Sequence, residues 1–204
     1  MITTFLETLS SFLFPTCCYI CKKGEEPLCE KCLKSFQSPL DSPNHWTTSL
    51  YSFRDERVKK VVHAIKFFHR KDLVTPIAKK LISQLPTSSL NWVLIPVPVH
   101  FFRKVSRGYN QAEVIARALS KKSGLLVTTT VLKKTHQTKR QAISLSRKER
   151  LRNQKGTFKV VKNITGKNII LIDDVTTTGA TLEEARRALV SAGASHVIAI
   201  TIAH

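Results

Sequence analysis

Residues 169–182 read Ile-Ile-Leu-Ile-Asp-Asp-Val-Thr-Thr-Thr-Gly-Ala-Thr-Leu, and this stretch carries the strongest indication of the fold. Four apolar residues without alternation predict a strand buried on both faces, as in a parallel sheet. The strand is expected to stop at Asp173, so that Asp173 and Asp174 stand at its end. Small hydroxyl residues and Gly179 then indicate a turn, and the acidic first turn after Thr181 begins a helix. The pattern therefore predicts a strand, a loop and a helix.

The predicted loop suits the phosphate of a sugar phosphate. Backbone N–H groups at a helix start, together with the positive end of its dipole, cradle an anion. Hydroxyl groups would add further donors, on Thr176, Thr177, Thr178 and Thr181. Ionised carboxylates only accept hydrogen bonds, so Asp173 and Asp174 would bind ribose hydroxyls or hold Mg²⁺ through water. The alternative is a buried strand whose acids only cap the next helix. P-loop and dinucleotide-binding patterns are absent from the sequence.

Length and charge set the next limits. The 204 residues fit one medium domain, or one domain with a small appendage. Lys and Arg number 33 against 14 Asp and Glu, which gives a net charge of +19. This excess favours a polyanionic partner, with nucleic acid first and an anionic membrane surface second. A basic protein without such a partner is the alternative.

The N-terminal residues predict the compartment. No run of eighteen apolar residues exists, and the first residues carry Glu7 rather than a positive region, which argues against a secretory signal. We therefore predict a cytoplasmic protein. Apolar residues at helical spacing in 2–13 indicate a short amphipathic helix. Docking on its own domain is the simpler interpretation, and binding to a membrane surface or a partner is the alternative.

Two Cys-x-x-Cys pairs follow, formed by Cys18, Cys21, Cys29 and Cys32. Paired knuckles in a reducing compartment suit tetrahedral Zn²⁺, because four thiolates close the site and give a small segment folding energy. A disulfide pair or a redox motif is the alternative. Cys17 has no assigned role. Residues 35–49 are rich in Ser, Pro, Asn and Thr and are interpreted as a linker.

The next part of the chain combines helices with basic side chains. A strand is expected near Leu50, followed by helices over 55–69 and 73–85. The first helix would display Lys59, Lys60 and Lys66, together with Phe67 and His69, on its outer face. These side chains form either a solvated face or part of a nucleic-acid groove in which aromatic rings stack on bases.

The second half repeats the pattern of strand and helix. A buried strand from Trp92 ends at two prolines, and the basic loop after it carries Arg103, Lys104 and Arg107, which would point into the same crevice as the acids. Asn110 is expected to cap the next helix, which Gly124 ends. A strand is expected over 125–132. The strands at Phe158 and His196 would complete the central sheet.

Residues 133–155 form the most basic stretch, with nine Lys or Arg residues and one Glu. Such a stretch is too polar to pack and too long for an ordinary connection, so it predicts a mobile lid or a binding arm. Its candidate DNA-binding residues are Lys139, Arg140, Arg147, Lys148, Arg150 and Arg152.

The apolar strand with Asp-Asp and Thr-Thr-Thr-Gly-x-Thr resembles the PRPP-binding motif of type I phosphoribosyltransferases. With the four cysteines, Ile-Pro-Val-Pro, Arg-Gly-Tyr-Asn-Gln and Gln-Ala-Ile-Ser-Leu-Ser-Arg-x-x-Arg-x-x-Asn, nearly the whole chain resembles the ComF family of competence proteins. The resemblance implies a zinc-binding segment over 1–45 and, over 46–204, an α/β phosphoribosyltransferase-like domain with a mostly parallel central sheet and flanking helices. It also implies handling of single-stranded DNA with other transformation proteins, at the cytoplasmic face of the inner membrane.

The resemblance also implies roles for individual residues. Asp173 and Asp174 match the acids of the PRPP motif, and its phosphate loop is matched by Thr176, Thr177, Thr178, Gly179, Ala180 and Thr181. Arg103 and Lys104 lie where the pyrophosphate loop is expected. Two hypotheses stay open. The domain binds PRPP with Mg²⁺ as a ligand while its basic surface binds single-stranded DNA, or it is an active transferase that uses PRPP on a nucleobase or a nucleic-acid-linked acceptor.

Overall fold

The computed structural model describes residues 17–86, 91–99, 108–135 and 156–204. Within these ranges the strands are β1 Thr47–Tyr51, β2 Trp92–Pro96, β3 Leu126–Val127, β4 Leu132–Lys134, β5 Phe158–Val160, β6 Asn168–Val175 and β7 His196–Ala203. The α-helices are α1 Glu30–Ser35, α2 Glu56–Phe67, α3 Val74–Leu81, α4 Gln111–Ser123 and α5 Ala180–Ser191. Short 3₁₀ turns, Lys71–Leu73 and Ile82–Gln84, stand on either side of α3.

The central sheet is parallel and has the strand order β1-β7-β6-β2-β3. Its middle strand, β6, pairs with β2 and β7 along most of its length. Parallel strands bring their carboxyl ends to one edge, so the residues after β6, β7 and β1 meet there. The predicted α/β fold with a mostly parallel sheet is therefore confirmed.

Both faces of the sheet are covered, which explains the apolar run that opens β6. Ile170 and Ile172 pack on one face in a core shared with α2, α3 and α4. Ile169 and Leu171 pack on the other face with α5 and with β4 and β5. Because neighbouring residues of a strand point to opposite faces, a strand in the middle of such a sheet needs apolar residues at every position.

Local capping sets both ends of α4, as the sequence predicts, and the start of α2. The side chain of Asn110 accepts a hydrogen bond from the N–H of Ala112 at the start of α4. Gly124 ends the same helix with φ at +74°, in the left-handed region that glycine adopts without strain. Asp55 caps α2 by accepting from the N–H of Arg57. These signals are local, and each is readable from its own few residues.

Three sequence expectations need correction. β6 continues to Val175, so both acids lie within the strand and not beyond its end. Phe158 does not join the central sheet, because β5 pairs antiparallel with β4 in a separate two-stranded ribbon. The single strand expected over 125–132 is divided between β3 and β4.

The residues interpreted as a linker are held on the main domain. The ring of Phe36 packs edge-on against that of Tyr51 at a centroid distance of 5.1 Å. The carboxylate of Asp55 accepts from the N–H of Gln37 at 3.1 Å, and the guanidinium of Arg57 donates to the carbonyl of Ser35 at 2.6 Å. Because these contacts bind the end of α1 to the start of α2, the four-cysteine segment lies against the main core.

No helix in the described ranges is both long and apolar enough to cross a bilayer. The amphipathic helix predicted over residues 2–13 lies outside the described residues.

Candidate phosphoribosyl site and metal centre

The two acids at the end of β6 point to opposite faces of the sheet. Asp174 shares the face of Ile172 and lies towards α2, where its Oδ2 is 3.1 Å from Nζ of Lys66. Asp173 shares the face of Leu171 and lies towards α5 and the β4–β5 ribbon. The adjacent carboxylates therefore lie on different faces, and only Asp174 makes the direct contact with Lys66.

Backbone amides orient both carboxylates. Oδ1 of Asp173 accepts from the N–H of Asp174 at 2.9 Å, and Oδ1 of Asp174 accepts from the N–H of Val175 at 2.6 Å. Desolvation and, after it, repulsion from Asp174 raise the pKa of Asp173 to about 7. The Asp174 N–H and the charges of Lys66 and Lys134 act in the opposite direction. A carboxyl group that is desolvated beside a second carboxylate favours a ligand that supplies hydroxyl donors or positive charge.

The loop after β6 has the form expected of a phosphate cradle. The N–H of Thr176 donates to the carbonyl of Ala203, which keeps the loop at the carboxyl edge of the sheet. Gly179 precedes α5 with φ at +75°, so its backbone turns into the helix in the left-handed region. The Thr178 hydroxyl accepts from the N–H of Ala180 at 3.4 Å. A twelve-residue helix follows, and its dipole adds positive potential at the loop.

A segment from the predicted linker lies directly on this loop. A Cβ atom placed on Gly179 would be 3.2 Å from Cβ of Pro43 and 3.6 Å from Nδ2 of Asn44. Glycine is therefore required at this position for two reasons, its backbone angle and its closeness to Pro43. No local pattern in the sequence indicates this contact, because it joins residues from opposite ends of the chain.

A cavity of about 380 Å³ opens beside the loop. Its lining comprises Leu40, Asp41, Ser52, Phe53, Arg54, Lys59, Thr177 and His204. Nδ1 of His204 lies 3.2 Å from the carbonyl oxygen of Thr176, and its Nε2 lies 3.8 Å from a carboxylate oxygen of Asp41. The basic side chains of Arg54 and Lys59 give this space the charge that an anionic ligand needs.

A second, larger cavity of about 690 Å³ adjoins the first. Its lining comprises Tyr19, Phe53, Lys59, Lys60, Val62, His63, Lys66, Phe67 and Phe68, and we call it the aromatic groove. Phe53 and Lys59 line both cavities. The two cavities therefore adjoin at these residues, and their linings reach from Thr177 of the phosphate loop to Tyr19 of the four-cysteine segment.

The four cysteines lie in the geometry of a metal site. The sulfur atoms of Cys18, Cys21, Cys29 and Cys32 all lie within 4.8 Å of one another. The Cys18 and Cys32 sulfurs are 3.7 Å apart, and those of Cys21 and Cys29 are 3.8 Å apart. A tetrahedral zinc ion with Zn–S bonds of about 2.3 Å separates its ligands by about 3.8 Å. The sulfur positions therefore fit Zn²⁺, and all four cysteines are free of disulfides.

Hydrogen bonds prepare one of these thiols for ionisation. Burial raises the pKa of Cys18, but N–H donors of Cys29, Cys21 and Ile20 outweigh that effect and lower it to about 6. Cys17 is exposed and lies outside the cluster. A thiolate in a cage of three further sulfurs is the donor set of a structural zinc site.

The structure describes some predicted site residues and not others. It places both acids and the phosphate loop at the carboxyl end of β6, where Lys66 contacts Asp174. Lys59 lines the cavity beside the loop, and Lys60 lines the aromatic groove. Other candidates lie outside the described residues, namely Arg103, Lys104, Arg107, Lys139, Arg140, Arg147, Lys148, Arg150 and Arg152. Sequence reasoning missed Tyr19, Phe53 and His204, which carry no motif and enter the cleft through long-range packing.

Comparison with known proteins agrees with this geometry. Residues 75–204 match the family model described as "Phosphoribosyl transferase domain", which is more than half of the chain. The chain belongs to this family. The phosphoribosyl transferase domain thus includes β6, the phosphate loop and both acids, whereas the four-cysteine segment precedes it.

Named relatives of this phosphoribosyl transferase domain protein support the resemblance to the ComF family. Competence protein F of Haemophilus influenzae is 36% identical over 107 residues, which cover 51% of this chain and 46% of that protein. DNA utilization protein YhgH of Escherichia coli K12 is 27% identical over 143 residues, which cover 67% of this chain and 63% of that protein. Competence protein ComFC of Bacillus subtilis is 29% identical over 147 residues, which cover 71% of this chain and 58% of that protein. The chain therefore spans between about half and just under two thirds of the length of these relatives.

Proposed function

We propose that this protein binds PRPP with Mg²⁺ at the end of β6 and binds single-stranded DNA along the adjoining basic cleft, in a ComF-like role in DNA uptake. The observation that carries the proposal is the common cleft. Lys59 lines both cavities, and Lys66 contacts Asp174 while it lines the aromatic groove. The relatives' names, competence and DNA utilization proteins, favour DNA as the partner.

In the PRPP site each part of the chain has a separate task. Asp173 and Asp174 would accept hydrogen bonds from the ribose hydroxyls, and the amides that orient them keep their oxygens in place. The loop from Thr176 to Gly179 and the first turn of α5, with Ala180 and Thr181, would hold the 5-phosphate with backbone N–H groups and the dipole of the helix. Mg²⁺, when bound, neutralises the pyrophosphate. The proposed Zn²⁺ of the four cysteines has a structural role and no part in this chemistry.

For DNA the proposal rests on charge. A net charge of +19 favours a polyanionic partner, and the lysines of the cleft lie next to aromatic rings, as in proteins that bind single strands. The same proposal places the protein in the cytoplasm, with peripheral contact to the inner membrane and to other transformation proteins.

The second candidate is transferase activity, which the position of the aromatic groove favours. An acceptor base held in the groove would be close to Asp174, because Lys66 lines the groove and also contacts that carboxylate. The chain would then act by electrostatics and positioning while pyrophosphate leaves C1. Release of pyrophosphate from PRPP in the presence of nucleobases or oligonucleotides distinguishes this activity from simple binding.

The test compares the wild type with the double variant Asp173→Ala/Asp174→Ala. Calorimetry with PRPP and Mg²⁺ should give binding in the wild type and none in the variant. Binding of single-stranded DNA should persist in the variant, since removal of two acids cannot weaken attraction to a polyanion, and should fall steeply between about 50 and 200 mM salt. PRPP binding retained by the variant would contradict the ribose assignment, and DNA affinity that is indifferent to salt would contradict the phosphate contacts.

A further inference from the structure

The aromatic groove has a composition that neither a metabolite phosphate site nor a core cavity requires. Phe67 and Phe68 are 50% and 61% exposed at the end of α2, although large apolar side chains are normally covered. The ring of His63 packs 4.6 Å from that of Phe67 and 5.3 Å from that of Phe68. Adjacent aromatic side chains on the surface therefore form a preassembled stacking platform beside the lysines of the same helix.

Tyr19 faces this platform from the four-cysteine segment. Two cations lie near its ring, with Nζ of Lys22 4.8 Å and the guanidinium carbon of Arg70 5.2 Å from the centroid. Its backbone N–H donates to the carbonyl of Pro27 at 2.9 Å. Because Tyr19 lies between Cys18 and Cys21, the metal-binding cysteines hold the backbone that carries this ring.

The charges of the groove select the class of ligand. Three lysines contribute to its lining, and none of the described residues in that lining is acidic. Lys59 and Lys66 already pair with Glu56 and Asp174, but an apolar peptide would gain nothing from the positive charge of the groove, and a phosphate alone would leave the rings exposed. A nucleobase with its neighbouring phosphates suits both the lysines and the rings, since the phosphates pair with the positive charge and every base has a face that stacks on aromatic rings.

We propose that the aromatic groove holds a nucleobase of single-stranded DNA and that the four-cysteine segment supplies Tyr19 as one stacking wall. The inference rests on the DNA binding proposed above and adds where a base binds and what the cysteine cluster contributes. The metal site thus has a function in DNA binding as well as in folding. The groove continues through Phe53 and Lys59 to Thr177, so the bound strand lies next to the phosphate loop.

The experiment separates base stacking from backbone contact. Affinities are measured by fluorescence anisotropy for a labelled thymidine oligonucleotide of about eight nucleotides and for an abasic oligonucleotide of the same length and charge. The full-length chain is used with its metal, as the wild type and as Tyr19→Ala, Tyr19→Phe and Phe67→Ala. Leu126→Ala is the matched control, because Leu126 is 73% exposed on the edge strand β3 and not part of the groove.

We expect the wild type to bind the thymidine strand more tightly than the abasic strand. Tyr19→Ala and Phe67→Ala should each lose about five- to a hundredfold in affinity for the thymidine strand and keep their affinity for the abasic strand. Tyr19→Phe and Leu126→Ala should match the wild type. Metal content and melting temperature show whether each variant is folded. If Tyr19→Ala loses its metal, the affinity of Phe67→Ala for the two strands tests base stacking instead, because Phe67 lies on the surface of α2.

Two outcomes overturn the inference, and they differ. If the wild type binds both strands equally and neither variant loses affinity, the stacking groove is wrong while DNA binding through phosphates stands. If the wild type binds neither strand, the proposed DNA binding is wrong and the groove assignment falls with it.

Discussion

Nζ of Lys66 lies 3.1 Å from Oδ2 of Asp174, and this contact joins the last turn of α2 to the end of β6. Both side chains are largely shielded from solvent, with 21% and 12% of their surfaces exposed. Loss of one partner from such a pair costs more than loss of one partner from a surface pair, because it leaves the other charge shielded and uncompensated. The same lysine lines the aromatic groove, so the pair stands between the two proposed ligands.

Replacing this lysine should destabilise the fold. Lys66→Met leaves Asp174 beside Asp173 without its cation, and we expect unfolding to become easier by about 1–3 kcal/mol. Thermal and denaturant unfolding measure the change. Lys60→Met, on the exposed face of the same helix, is the control and should alter stability by less than about 0.5 kcal/mol.

Mg²⁺ gives a second readout of the same variant. A divalent cation near the carboxylates would replace the missing charge, so MgCl₂ should raise the melting temperature of Lys66→Met more than that of the wild type. Equal stability of Lys66→Met and Lys60→Met would show that the ion pair contributes nothing.

Asp173 makes the stability of the ligand-free protein depend on pH. Desolvation and the charge of Asp174 raise its pKa to about 7, although Lys66 and Lys134 oppose them. The folded state therefore holds a proton that the unfolded chain releases near pH 4. Stability from this proton is fully present below about pH 4 and is lost as the pH rises through about 7.

The variant Asp173→Asn removes this dependence. It should be more stable than the wild type at about pH 8, by about 1–3 kcal/mol after allowance for the solvent that still reaches the cleft, and close to it at about pH 4. Urea unfolding at both pH values measures the difference. A constant difference between the two proteins across this range would show that Asp173 ionises as it does in the unfolded chain.

The sequence could predict the features that depend on neighbouring residues. The run of four apolar residues before Asp173 indicated a strand covered on both faces, and Asn110 and Gly124 indicated the two ends of α4. The spacing of the two Cys-x-x-Cys pairs indicated a cluster that the structure contains. In each case the residues that indicate the structural feature are the same residues that form it, or lie within a few positions of it in the sequence.

Contacts between distant segments could not be predicted in this way. On α2, Lys66 falls among basic residues that a helical pattern assigns to solvent, and only docking against β6 brings it to Asp174. The strand at Phe158 has three residues and no alternation long enough to specify a partner, so its pairing with β4 depends on the core formed with α5. Pro43 reaches Gly179 for a similar, purely tertiary reason.

Metal removal tests the cysteine cluster. We expect one zinc ion per chain, and its removal by a chelator should lower the melting temperature, because Cys18 and Cys32 belong to the core that also contains Leu28 and Leu33. Cys18→Ser should lose the metal and about 3 kcal/mol or more of stability. Cys17→Ser is the control and should retain both, since Cys17 is exposed and outside the cluster. Unchanged metal content in Cys18→Ser would contradict the assignment.

Asp55 should contribute more than an ordinary surface ion pair. Its carboxylate accepts from the backbone of Gln37 and of Arg57 and pairs with the Arg57 guanidinium at 2.7 Å. The Arg57 guanidinium, outweighing burial, lowers the pKa of Asp55 to about 2. Because the pKa is lowered, this stability is present above about pH 4 and is lost as the pH falls through about 2.

We expect Asp55→Ala to destabilise the protein by about 2–3 kcal/mol, through loss of the helix cap and of the bond to Gln37. Asp72→Ala is the matched control, since the Arg70–Asp72 pair is exposed and should contribute about 0–1 kcal/mol. Urea unfolding at neutral pH compares them, and equal losses would contradict the structural role of Asp55.

Gly179 permits a direct test of the phosphate loop. Alanine at this position must adopt φ near +75° and place its Cβ 3.2 Å from that of Pro43. Gly166 has φ at +71°, and no atom lies within 4 Å of the position that an alanine Cβ would take there, so Gly166→Ala carries the backbone strain alone. We expect Gly166→Ala to lose about 1 kcal/mol of stability and Gly179→Ala to lose more, because the loop or Pro43 must move. In calorimetry, PRPP affinity should fall for Gly179→Ala and not for Gly166→Ala. Equal PRPP affinity in both variants would mean that the position of this loop does not govern phosphate binding.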